Sequence, residues 1–135
     1  MDKILALYQT LSHEGIRFYC WDMEDTKAVT IEMNGQYGIF VDFDNISSAA
    51  EELVTIAHEA GHCMTGATHK LCSPYDLIER HERKAWKWAI LHTINREELQ
   101  TALDNGYTEL WSLAEYFGVT EDFMRKAVCL YFNNF

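Results

Sequence analysis

His58-Glu59-Ala60-Gly61-His62 is the stretch on which the reading of this chain turns. In an α-helix each residue advances about 100°, so side chains four apart return to within roughly 40° of each other, one turn up the same face. His58 and His62 can therefore grip one ion. Glu59 lies beside that face, where a carboxylate can act as general base toward water. A catalytic Zn2+ site uses three protein ligands and keeps its fourth position for water and substrate, so one more ligand must come from elsewhere in the chain. With six His and thirteen Glu among 135 residues, chance supplies only roughly 0.02–0.03 such runs.

The flanks place the motif on a helix. Ala49, Leu53, Ile56, Ala57 and Ala60 have the spacing of an apolar helical face. Ser48 followed by Glu51 reads as a capping box, which puts the histidine pair in the third turn, away from fraying ends. Upstream, Ile4, Leu5, Tyr8 and Leu11 predict a first helix over 2–14, stopped at Gly15. Strands are expected over 17–21, 28–33 and 37–43, with Asn34-Gly35 as a tight hairpin turn. The expected class is thus α+β: a small antiparallel sheet with a β-hairpin, packed on the metal-binding helices. An exposed strand edge beside such a helix can take up an extended peptide as a further strand.

After His62, residues 64–72 read as a loop, and Ser73-Pro74 with Asp76 as the start of a second helix. On that helix Glu82, Ala85 and Ala89 share a stripe, so Glu82 sits where small residues allow close approach to the first metal-binding helix. Glu79, one turn earlier, competes for the role of third ligand, and spacing does not choose between them. Tyr37, Tyr75 and His69 have the chemistry of an oxyanion helper. Cys20, Cys63, Cys72 and Cys129 form no CxxC pair and read as reduced structural thiols, Cys63 pointing about 100° away from His62.

The composition, 48% hydrophobic, suits a single globular domain with one core. No stretch has the roughly 20 apolar residues of a membrane span, and no secretory leader is visible, so a cytosolic protein without membrane contact is expected. Its net charge of −10 makes nucleic acid a poor partner. The tail reads as helix, turn and helix around Gly118-Val119-Thr120, a shape that invites a DNA-binding reading. Residues 96–135, however, hold three basic side chains (Arg96, Arg125 and Lys126) and seven acidic ones, a balance of −4. A packing or partner-docking hairpin is the better expectation.

With His58-Glu59-Ala60-Gly61-His62 followed by Glu82, Ala85, Trp88 and Ala89, the chain resembles the ImmA/IrrE family of zinc metallopeptidases. Leu113-Ala114-Glu115-Tyr116-Phe117-Gly118-Val119-Thr120 is similar to the family's helix-turn-helix remnant, so the likeness spans nearly the whole chain. The family often carries Leu-Met-Pro just after the second helix, where Ile90-Leu91-His92-Thr93 stands here. The resemblance favours Glu82 over Glu79 and implies a zincin-like core over 1–94 with a helix-turn-helix-like subregion over 95–135. It further implies a bacterial, phage or mobile-element endopeptidase. In that reading His58, His62 and Glu82 hold Zn2+, Glu59 is the catalytic base, and the substrate is a helix-turn-helix repressor encoded nearby. The alternative expectation is a non-catalytic zinc-containing module that docks a protein partner.

Overall fold

The computed structural model describes residues 2–66 and 75–133, arranged as six helices and a small sheet in an α+β fold. Helix α1 (Lys3–His13) is capped by the Asp2 carboxylate, which accepts from the Ile4 amide, and buries Leu11. Strands β1 (Arg17–Cys20), β2 (Ala28–Met33) and β3 (Gln36–Val41) follow. Asn34 and Gly35 both have positive φ, 53° and 81°, which the two-residue hairpin turn requires and which their side chains tolerate. The sheet order is β1-β3-β2. β2 and β3 pair antiparallel, as expected, but β1 and β3 run parallel, Phe18 opposite Ile39. The sheet is therefore mixed: the 21–27 connection carries the chain past the width of one strand, and the hairpin turn returns β3 into the gap. The third strand also ends sooner than expected. Asp42 leaves the strand pattern to cap a 3-10 turn (Phe43–Asn45), taking the Asp44 amide, and its other oxygen takes the Met23 amide. Asn45 donates to the carbonyls of Glu24 and Thr26, so this corner holds the connection that delivers β2.

Helix α2 (Ala49–Thr65) starts at Ser48, whose hydroxyl accepts from the Glu51 amide. The reciprocal half of the capping box is displaced by one residue: the Glu51 carboxylate accepts from Ser47 and also meets Lys27 at 3.4 Å. The helix continues through Met64 and Thr65, expected as loop, to Gly66, whose left-handed φ of 67° closes it. The remainder of that expected loop, the Ser73-Pro74 start, Cys72, His69 and the Tyr75 side chain lie outside the described residues.

Helix α3 (Tyr75–Thr93) crosses α2 closely. Ala85 and Ala89 are fully buried there, and a Cβ added to Gly61 would stand 2.2 Å from the Ala85 carbonyl oxygen. Helices α4 (Arg96–Asp104), α5 (Leu110–Phe117) and α6 (Glu121–Asn133) complete the chain. Leu113, Phe117, Phe123 and Met124 from the last two join Leu53, Val54, Ala57 and Ile90 in one apolar cluster, so the tail packs on α2 and α3. A second cluster, with Leu11, Ile39, Val41, Ile56 and Cys63, lies between α1, the sheet and the opposite side of α2. Burial pushes the Cys63 thiol up to about 11, which keeps it protonated and inert. Among the described residues no helix is long and apolar enough to cross a membrane.

Gly61→Ala tests the helix crossing. Alanine gains about 1 kcal/mol of helix propensity over glycine, but the new methyl overlaps backbone that no rotamer can move aside. The expected outcome is a net loss of about 2 kcal/mol in urea unfolding. Unchanged stability would mean that the two helices separate without cost.

Candidate metal centre and active site

The α2–α3 crossing brings the motif to its third partner. His58 Nε2 lies 2.7 Å from Glu82 Oε2, and His62 Nε2 lies 3.1 Å from Glu82 Oε1. Among the described residues, His58, His62 and Glu82 form a group whose ligand atoms all lie within 4.8 Å of one another. A tetrahedral ion at about 2.0–2.1 Å from each ligand needs donors roughly 3.4 Å apart, within reach of small side-chain torsions from this arrangement. Two imidazoles and a carboxylate also match the donor chemistry of a catalytic zinc site. Glu79 is exposed one turn earlier and takes no part in the group.

The charges fit a cluster built to share one cation. Burial is the largest single influence on His58 and pulls its protonated form down, but Glu59 and Glu82 together outweigh it and raise the imidazole to about 9. The hydrogen bonds from His58 and His62 hold the Glu82 carboxyl well below the usual carboxylate range. Without metal, a proton on His58 thus occupies the position of positive charge that these carboxylates favour.

Glu59 is buried, with 7% of its surface exposed, and is the only charged neighbour of His58 on the same helix within the motif. Its Oε2 lies 3.3 Å from His58 Nδ1. A proton on Nδ1 directed at this carboxylate leaves Nε2 as the metal-facing nitrogen, a common arrangement around zinc-binding histidines. Oε1 accepts a 2.7 Å hydrogen bond from the Thr30 hydroxyl on β2. Thr30 was not among the residues expected from the sequence. Its signal was faint: a polar side chain on the inward-facing parity of β2, paired with fully buried Ile39 on β3. Trp86 was missed as well. Its indole stacks on His58 with ring centres 4.0 Å apart and planes 14° from parallel.

A cavity of about 240 Å³ opens over these groups, with Ala28, Val29 and Thr30 of β2 along one wall and His58, Glu59, His62 and Glu82 along the other. A neighbouring cavity of about 540 Å³ shares Ala28, His58 and Glu59 and extends past Val54, Thr55 and Trp86 to Thr120 and Asp122 at the start of α6. Tyr37 lines neither; its hydroxyl lies near Gly66, one turn beyond His62 at the C-terminal end of α2. His69 and the Tyr75 side chain, the other two oxyanion candidates, lie outside the described residues.

Paired helices thus bring two histidines and a glutamate together beside a strand edge, a group that could hold a metal ion. A family model described as the IrrE N-terminal-like domain matches residues 4–128, and the chain belongs to this family of peptidases. Among curated proteins, none matches the chain.

Thr30→Val removes the hydroxyl from Glu59 while keeping the β-branched shape. Because the lost bond is to a charged, buried acceptor, the variant should lose about 1–2 kcal/mol in urea unfolding, and Thr30→Ser should recover most of it. Equal stability of the valine variant would show that water replaces the hydroxyl freely.

Proposed function

We propose that this protein is a zinc-dependent endopeptidase in which His58, His62 and Glu82 hold the ion and Glu59 is the general base. The observation that carries this reading is the convergence of both motif imidazoles on the Glu82 carboxylate across the α2–α3 crossing. Bound there, Zn2+ would supply Lewis acidity, polarising the scissile carbonyl and acidifying water. Glu59 takes the proton as the water oxygen bonds to the carbonyl carbon, then delivers it to the amide nitrogen as the C–N bond breaks. Thr30 keeps one Glu59 oxygen in place by its hydrogen bond. The outer edge of β2, over the cavity, offers main-chain donors and acceptors to an extended peptide, which would add as a fourth strand.

We infer further that the substrate is a protein, a helix-turn-helix repressor encoded close to this chain in a phage or other mobile element. Support comes from the family resemblance carried by His58–His62, Glu82 and the 113–120 segment. Purified protein loaded with Zn2+ and mixed with the product of the neighbouring reading frame should cleave it; complex formation without cleavage would favour a docking module instead.

Three substitutions separate the roles. Glu59→Gln should retain Zn2+ and lower turnover by roughly 10²–10⁴-fold, the usual worth of a general base; full proteolysis by this variant would sink the mechanism. Glu82→Ala should weaken Zn2+ binding by at least ~100-fold, since outer partners of metal ligands alone are worth 10–100-fold. Glu79→Ala should leave affinity unchanged in the same chelator competition, and the reverse ranking would reassign the third ligand.

A further inference from the structure

The C-terminal helix reaches the metal centre through one aromatic ring. One face of Trp86 lies flat on His58, at 4.0 Å and 14°. The Lys126 ammonium of α6 also lies over the indole, 4.5 Å from the ring centre. Lys126 is itself held by Asp122 at 2.6 Å, one turn earlier on α6. Phe123, fully buried on the same helix, contacts the indole at 5.9 Å between ring centres. We infer that Trp86 is a positioning residue for His58, and that α6, through Lys126, fixes Trp86 in that role; the inference rests on the metal-site reading proposed above.

The physical need is specific. The imidazole lone pair lies in the ring plane, so a histidine binds metal well only when its plane is correctly set. The outer torsion of histidine is broad and does not set that plane by itself. Glu59 and Glu82 fix the two nitrogens at the ring's edge. A stacked indole supplies the remaining constraint, against tilting out of plane. Trp88, two residues on, faces a different environment: it stacks on His92 of its own helix and packs with the cluster around Ile39. Trp86 also borders the larger cavity together with Thr120 and Asp122, so the start of α6 forms a wall of the cleft that His58 and Glu59 line. The start of α6 is on this account part of the active site.

The test measures Zn2+ affinity by chelator competition and the ligand-field absorption of Co2+-substituted protein, with unfolding curves taken in parallel. Trp86→Leu keeps apolar bulk and removes the stacking plane; it should weaken Zn2+ binding by about 10-fold or more and shift the Co2+ spectrum. Trp86→Phe keeps a stacking face and should recover affinity to within about 3-fold of the parent. Lys126→Met keeps the aliphatic stem and removes only the cation, and should weaken binding by about 2- to 5-fold without unfolding the protein. A folded leucine variant with parental affinity and spectrum would overturn the inference, as would a phenylalanine variant no better than leucine. If the leucine variant does not fold, a Lys126→Met protein with unchanged affinity and spectrum overturns it. Parent protein that binds no Zn2+ would remove the metallopeptidase reading and this inference with it; parental binding with indifferent variants removes the inference alone.

Discussion

The contact of Gly61 with the backbone of Ala85 is the constraint on which the site depends. A helix pair normally keeps its axes about 8–10 Å apart, the distance set by the side chains between them. Here the interposed residues are Ala57, Gly61, Ala85 and Ala89, so little separates the two backbones. At this spacing Glu82, a side chain with three torsions, reaches both His58 and His62. The motif glycine thus serves the site without touching the ligand positions: it sets how near the third donor can come.

Close approach also explains why the charges are tolerable. An isolated charge taken from water is costly unless it is paired and hydrogen-bonded. Glu82 spends its two oxygens on two imidazoles, and Glu59 spends its own on Thr30 and His58. The cluster has more carboxylate than fixed positive charge, which is why His58 is raised to about 9 despite its burial. A divalent cation answers the same imbalance more fully than a proton, because it meets all three donors at once. That makes the His58, His62 and Glu82 group and Glu59 one electrostatic unit, with Thr30 as its link to the sheet.

Much of this was legible in the residues, and the rest was lost for identifiable reasons. Periodicity placed α1, α2, α3 and the hairpin because burying one face leaves its mark on every turn or alternate residue. The direction of β1 was not legible: parallel and antiparallel partners impose the same alternation, and only the course of the 21–27 connection decides between them. Asp42 was placed in a strand because its neighbours are apolar, whereas its carboxylate does better as a cap for the next turn. At the site, the histidines and Glu59 were given by local spacing. Glu82 was singled out by the family likeness, since Glu79 fits the same helix; among the described residues the crossing groups Glu82, and not Glu79, with the histidines. Thr30 and Trp86 touch the motif across elements, at Glu59 and His58, and nothing local distinguishes a threonine under a carboxylate from one under a leucine.

The edge strand is the last element whose form follows from the site. β2 is six residues long, pairs residue for residue with β3, and contains neither proline nor a bulge. Val29, Ile31 and Met33 are exposed on it, at 37%, 39% and 47%. Edges of this kind invite pairing with other chains, and proteins usually blunt them with charge, bulges or cover. On β2 the single charged side chain is Glu32. A regular edge bordering the cavity keeps its main-chain donors and acceptors in unbroken register, as the addition of any extended peptide requires, because a bulge would interrupt the ladder.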